Sequence, residues 1–378
     1  MTVITADWLQ TPAAQTVCAL LTEAGHQAWF VGGCVRNTLL DQPVADLDLT
    51  TDARPEAVVA LAEAAGIKCV PTGIDHGTVT LVIDDQPFEV TTFRRDVATD
   101  GRRATVAYAD SIFEDAHRRD FTMNALYAAP DGTLSDPLGG LPDLQARRVR
   151  FIDDPGQRIR EDYLRILRFF RFHAWYGDPE VGVDPDGLAA CADHIDGLPR
   201  LSAERITAEL LKLLAAPDPA PAVASFAATG GLAQVLPGAD AGPLAVLVHL
   251  EETMFVAPDP IRRLAVIGGD AEAHLRLSKV QARQLSVLKA GLSPAETAYR
   301  LGAAAGQDVA LVAAASLGQP LAPEIMQTVA HAAKQQFPLK AADLMPALSG
   351  AALGDALKAA EARWIASGFT LTKDDLLE

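Results

Sequence analysis

Residues 31–49, VGGCVRNTLLDQPVADLDL, set a Gly-Gly pair and a lone arginine about ten residues ahead of two aspartates spaced one apart. A short apolar strand, AWFV (28–31), leads into the glycines, and CVRNTLL (34–40) reads as a helix leaving them. Glycines at such a turn let the backbone approach a ligand, and the helix start offers unpaired N–H groups to phosphate. Arg36, in the first helical turn, adds a charge-assisted contact to the same phosphates. DLDLT (46–50) alternates with a period of two, so Asp46 and Asp48 fall on one face of a strand. Two carboxylates on one face repel unless a cation lies between them, and hard oxygen ligands suit Mg²⁺. Each half has a bland counterpart, a tight turn with a surface arginine or an acidic exposed strand. Together they describe a site for a nucleoside triphosphate and its magnesium.

Around this stretch the pattern is α/β. Residues 13–24 read as a helix closed by Gly25, and RPEAVVALAEAAG (54–66) as another, with proline in its first turn and glycine at its end. Strands are expected at KCVP (68–71), GTVTLVI (77–83) and FEVTTF (88–93), with DDQP turning between the last two. This head runs to about residue 145, and from Asp153 onward the sequence is helical. EDYLRILRFFRFHAWY (161–176) reads as one long amphipathic helix and SAERITAELLKLLAA (202–216) as another, with Ser202 as its N-cap.

Composition bounds the function. The chain has 378 residues, enough for two or three domains, and no apolar run approaches the ~18 residues that cross a bilayer. No secretory leader is indicated at the start, and the four cysteines form no CxxC pair, so a reduced, cytoplasmic protein without a membrane partner is expected. A net charge of −17 argues against a nucleic-acid partner until it is divided along the chain. Residues 94–171 hold 14 basic and 13 acidic side chains, against 3 and 12 in residues 1–93. Every basic residue in that segment is arginine, the better side chain for bidentate phosphate and base contacts. A local positive cleft on an acidic protein is the expectation.

Two motifs lie inside that segment, RRDFTMN (118–124) and EDYLRILRFFRF (161–172). On a helix, Asp162/Arg165, Arg165/Arg168 and Arg168/Arg171 are i, i+3 neighbours, while Leu164, Leu167 and Phe170 supply a buried stripe. A solvated, salt-bridged helix gives the same pattern.

Taken in order, VGGCVRN…DLDL, RRDFTMNALY, DPLGGLPDLQARRVRFI, EDYLRILRFFRF and LSAERITAELLKLL resemble the motifs of the class II tRNA nucleotidyltransferase and bacterial poly(A) polymerase family. The resemblance covers about residues 28–240 and thins beyond, where LRLSKV (275–280) is the one similar phrase. It implies an α/β nucleotidyltransferase (polymerase-β-like) head with a β-sheet and helices over residues 1–145, followed by an all-α neck, body and tail. The neck, 146–215, would read the nucleotide base, and the body and tail, 216–378, would hold tRNA. It further implies that Asp46 and Asp48 are catalytic and hold Mg²⁺, and that Gly33, Arg36 and Arg119 contact the nucleotide. Asp162 and Arg165 match the base-reading pair, with Arg168 and Arg171 nearby. Cytosine and adenine both present an amino donor beside a ring-nitrogen acceptor, which a carboxylate and a guanidinium satisfy. Uracil and guanine present the reverse, and a mismatched buried pair costs about 1–3 kcal/mol per group.

The implied activity is template-independent addition of CCA to tRNA 3′ ends from CTP and ATP, with contacts to the tRNA acceptor and elbow. Poly(A) polymerase, CC-only or A-only addition, a silent RNA binder, and nucleotidyl transfer to a small molecule or protein are the alternatives. The chain departs from the family at Asn37, where aspartate is usual, which removes a charge from any salt bridge to a neighbouring arginine. Glu89 is open as a third site carboxylate or an exposed strand residue.

Overall fold

The computed structural model describes residues 2–71, 73–100, 103–345 and 347–378. Arg102, part of the arginine-rich segment, lies outside them. The chain divides into two compact units, Met1–Glu209 with Ala228–Val235, and Leu210–Ala227 with Leu236–Glu378.

In the first unit, α1 (Pro12–Thr22) starts at Thr11, whose hydroxyl accepts from the Ala14 N–H, with proline at the first helical position. Then follow β1 (Trp29–Val31), α2 (Gly33–Leu39), β2 (Leu47–Thr51), α3 (Pro55–Ala64), β3 (Lys68–Val70), β4 (Thr78–Ile83) and β5 (Gln86–Thr92). A separate hairpin, β6 (Arg94–Asp100) and β7 (Arg103–Tyr108), which the sequence reading missed, precedes α4 (Ile112–His117), β8 (Tyr127–Ala128) and β9 (Leu134–Ser135). The seven-stranded sheet runs β3-β4-β5-β2-β1-β8-β9, and only β2 and β5 are parallel. The β4–β5 turn has Asp84 and Asp85 at φ 50° and 61°, the doubly left-handed geometry of a two-residue hairpin loop.

Register explains which face carries chemistry. Leu49, Val90 and Val79 stand side by side across β2, β5 and β4, as do Leu47, Phe88 and Leu81, and all six are buried. Each such side chain contributes roughly 1.5–3 kcal/mol on burial. A one-residue slip would bury the alternate set, so the register is fixed. That alternate set includes Asp48 and Glu89, paired in register on the opposite face.

The rest of the unit is helical: α5 (Leu141–Gln145), α6 (Pro155–Glu161), α7 (Leu164–Tyr176), α8 (Pro185–Asp193) and the start of α9 (Ala203–Leu214). Phe121, Phe151, Phe169 and Phe172 form a buried aromatic cluster with ring centroids 5.0–6.2 Å apart, tying RRDFTMN to α7. The single long helix expected from Glu161 is broken. Asp162 adopts φ −153°, ψ 105°, and its carboxylate accepts from the Leu164 N–H at 3.1 Å. An aspartate that bonds the backbone locally offers an alternative to the helical ladder, so α6 stops and α7 begins anew.

Among the described residues, the regular elements of the second unit are all helices. One core gathers Leu247, Leu250, Val266 and Leu311, and another Ala298, Val329, Trp364 and Phe369. Buried Glu251 accepts from both Arg262 and Arg263, and Arg263 also donates to the carbonyls of Leu214 and Pro217. These arginines are structural. No helix among the described residues is long and apolar enough to cross a membrane.

Candidate active site

The Gly-Gly turn is a backbone requirement before it is a site. Gly32 has φ 75°, ψ −124°, a region open to glycine alone. A Cβ on it would stand 3.9 Å from Nη1 of Arg119 and 4.0 Å from Oδ2 of Asp48. Turn, guanidinium and carboxylate therefore surround one spot. Gly33 opens α2 there, leaving the first N–H groups of the helix without intrahelical partners.

Asp48 is partly buried, while Asp46 and Glu89 are exposed. Among the described residues, no hydrogen-bond donor or ion-pair partner meets any of the three carboxylates. Burial, then Glu89, then Asp46 push the Asp48 carboxyl up to about 6, with Arg119 pulling the other way. Negative charge is thus concentrated, and only partly offset by Arg119, at the position where the sequence placed a cation. The described residues contain no set of three His, Cys, Asp or Glu side chains arranged as a complete metal site. Magnesium does not need one, since it is commonly held by one or two carboxylates, substrate phosphates and water. The donor set fits that ion.

Arg119 is aimed by a buried carboxylate that the sequence reading missed. Asp115 Oδ2 accepts from Arg119 Nε and Nη2 at 3.1 and 2.9 Å and from the Tyr127 hydroxyl at 2.9 Å, while Oδ1 accepts from Arg118 Nε at 2.7 Å. Burial alone would raise the Asp115 carboxyl; Arg119 and Arg118 hold it well below the usual carboxylate range. Arg119 Nη1, the nitrogen nearest Gly32, carries none of these bonds. The DAHRR spacing, i to i+3 and i+4 from Asp115 on α4 to the two residues just past its end, was the signal that could have found Asp115.

Arg36 braces the turn from within. It is 7% exposed, donates to Asn37 Oδ1 from Nε and Nη2, to Asn124 Oδ1 at 2.6 Å and to the Tyr176 hydroxyl at 2.8 Å, and lies over the Tyr176 ring at 4.0 Å. These bonds use four of its five N–H donors, so it meets a nucleotide with little donor capacity to spare. Asn37 keeps the acceptor role for Arg36 without a charge and donates to the Pro43 carbonyl at 2.8 Å.

The network continues onto α7. Asn124 donates to Asp120 Oδ1 at 2.9 Å, and Asp120 Oδ2 takes Nε and Nη2 of Arg168. Burial works against the Asp120 charge, and Arg168 overrides it, keeping the carboxyl well below its ordinary range. Arg171 donates from Nε to buried Glu209 at 2.6 Å. Arg165 is held by Glu161 at 2.6 Å and by the carbonyls of Arg158 and Arg118 at 2.8 and 2.9 Å. Asp162 instead pairs with Arg205 at 2.7 Å. Asp162 and Arg165 therefore lie across the α6–α7 break, each with its own partner, rather than on one helical face. The expected positive cleft is largely neutralised internally: Arg118, Arg119, Arg148, Arg150, Arg158, Arg165, Arg168 and Arg171 all pair with carboxylates.

Comparison with known proteins bears on this arrangement. Residues 28–150 match the poly A polymerase head domain, and residues 182–242 match the probable RNA and SrmB-binding site of polymerase A. Over these residues the chain is similar to the tRNA nucleotidyltransferase and poly(A) polymerase family. It is 40% identical over 207 residues to the human mitochondrial CCA tRNA nucleotidyltransferase 1, covering 54% of this chain and 48% of that protein. It is 38% identical over 247 residues to the CCA-adding enzyme of Limosilactobacillus reuteri, covering 63% and 59%. The chain thus spans about half the length of the curated relatives it matches. Among solved structures, the Bacillus stearothermophilus CCA-adding enzyme in complex with CTP aligns with a TM-score of 0.70 and 27% identity, over 95% of this chain and 94% of that one. The Thermotoga maritima CCA-adding enzyme complexed with tRNA shares the fold, with a TM-score of 0.69 at 17% identity. The nucleotidyltransferase head and helical remainder expected from the sequence are the family's own.

Proposed function

We propose that the protein adds CCA to tRNA 3′ ends from CTP and ATP without a nucleic-acid template. The observation that carries this reading is the convergence of Gly32, Arg119 and Asp48 on one spot beside Glu89 and Asp46. The RNA 3′-hydroxyl attacks the α-phosphate, the new phosphodiester forms, and pyrophosphate leaves. Asp46 and Asp48 would hold Mg²⁺, which supplies hydroxyl activation and charge neutralisation on the triphosphate when bound. Gly33 and the start of α2 give backbone N–H groups to phosphate oxygens, and Arg119, fixed by Asp115, gives a guanidinium that needs no reorganisation. Asp162 accepts from the amino group of cytosine or adenine, and Arg165 donates to the ring nitrogen, each by loosening a bond it now makes. Arg168 and Arg171 hold α7 in place behind that pair.

The relatives named for CCA addition support CCA over poly(A) synthesis. The second unit is proposed to hold the acceptor and elbow of the tRNA. Four free cysteines, three of them buried, suit a reducing compartment such as the cytoplasm. The test is incorporation of labelled CMP into a tRNA lacking its terminal CCA, in Mg²⁺. Incorporation by the wild type and its loss in D48A support the reading, and a fully active D48A refutes it.

A further inference from the structure

Beside Arg118, which takes the Asp115 oxygen that Arg119 leaves free, is a cavity of about 220 Å³ lined by Arg95, Phe113, Glu114, His117, Arg118 and Arg158. It is smaller than the ~300–1,000 Å³ of ordinary small-molecule sites, with room for a nucleobase but not for a whole nucleoside triphosphate. Phe113 is 54% exposed, so burial gives little reason for a phenylalanine there. Its ring meets His117 edge-on, with centroids 4.6 Å apart. His117 is fixed by Asp153, 2.7 Å from its Nδ1, and its carbonyl accepts from Arg158 Nη1 at 2.7 Å. Arg158 is 8% exposed and its Nε has no hydrogen-bond partner. The Arg95 side chain is 60% exposed and meets Glu114 only at 3.9 Å. Glu114, the one carboxylate in the lining, is turned to its own helix start, accepting from the Asp110 N–H at 3.3 Å.

We infer that this cavity receives an unpaired nucleotide of the RNA substrate, with its base on Phe113 and its phosphate against Arg95. An exposed aromatic ring beside one exposed guanidinium, Arg95, with Arg118 and Arg158 behind it held by Asp115 and Glu161, is the chemistry of single-stranded RNA recognition, where stacking gives affinity and arginine follows the backbone. Arg118, in the cavity lining, and Arg119, at the triphosphate turn, are adjacent residues that share the Asp115 carboxylate, which links the cavity to the site of the reacting RNA end. The inference rests on the proposed RNA-end addition and names a subsite for that substrate.

The test compares wild type, F113L, F113W and R95A on a tRNA lacking CCA, with KM for tRNA and for CTP measured separately. F113L keeps apolar bulk but no π face, and it is expected to raise the tRNA KM about tenfold while leaving the CTP KM and the thermal midpoint unchanged. F113W is expected to restore tRNA use, and R95A to weaken it with a salt slope smaller by about one. A wild type that adds nucleotide normally and an F113L with unchanged tRNA KM would overturn the inference. So would an F113L that loses CTP use or thermal stability, because the residue would then be structural. A wild type that adds nothing to any tRNA would instead defeat the functional reading beneath it.

Discussion

Asp48 and Glu89 stand in register on the two parallel strands of the sheet, and no donor among the described residues meets either carboxylate. The cost of that arrangement depends on pH. Folded Asp48 titrates near 6 instead of 3.8, so between those values the folded chain keeps a proton that the unfolded chain has released. Stability contributed at this site therefore falls as pH rises from 3.8 to about 6 and stays low above it. D48N is expected to stabilise the metal-free protein by about 1–2 kcal/mol at pH 8 and by almost nothing at pH 4, after discounting for solvent access. Mg²⁺ should raise the wild-type melting temperature at pH 8 more than that of D48N. Calorimetry at the two pH values checks both, and a D48N that is less stable than wild type at pH 8 would count against the reading.

Asp115 has the opposite sign. Arg119 and Arg118 hold its folded carboxyl below the ordinary 3.8, so its contribution is present above that pH and disappears as pH falls through the folded value. D115N leaves two guanidiniums without their buried partner and is expected to cost about 3–5 kcal/mol at pH 7. Its acid-unfolding curve should be shallower than that of wild type below pH 4. Nucleotide addition should fall further than stability explains, because Arg119 loses its aim; urea curves and single-turnover rates at permissive temperature separate the two.

Charge reversal of Arg168 or Arg171 does not isolate an RNA contact, since each faces a buried carboxylate, Asp120 or Glu209. R168E is expected to cost about 3–5 kcal/mol through like-charge burial against Asp120. R168K keeps the charge but loses the bidentate contact, so a loss of about 1–2 kcal/mol with measurable activity is expected. Equal stability of R168E and wild type in denaturant titration would show that the Asp120 pairing does not hold α7.

Arg205 and Asp162 form a half-exposed pair worth about 0.2–1 kcal/mol to stability. R205A should therefore leave folding nearly intact while freeing the carboxylate proposed to read the base amino group. R165A should relax the preference for CTP and ATP over UTP and GTP by about tenfold or more. Competition between the four nucleotides on one tRNA measures it, and undiminished selectivity would remove Arg165 from base reading.

Local patterns in the sequence carried the head well. The glycine turn, the alternation that places Asp48 on β2, and the Asp84–Asp85 hairpin turn each follow from a few adjacent residues, although β2 opens at Leu47 and leaves Asp46 just ahead of it. Contacts between distant residues were not legible: the Arg168–Asp120 and Arg171–Glu209 pairs span 48 and 38 positions, and the role of Asn124 appears only once Arg36 lies against it. The break at Asp162 was hidden because apolar periodicity continues through it, whereas the local carboxylate bond that ends α6 leaves no periodic trace. The arginine-rich segment misled in the other direction, since its charge is mostly answered by carboxylates inside the fold.

The most direct measurement gives the protein three tRNAs, ending before CCA, after C and after CC, with each nucleotide singly and then with CTP and ATP together. Products are sized at nucleotide resolution. Growth of every tRNA to CCA and no further, with CMP added before AMP and with UTP and GTP refused, is the expected result. An unbroken run of adenylate, growth that stops at CC or requires CC, or no growth with tRNA still bound would each contradict it.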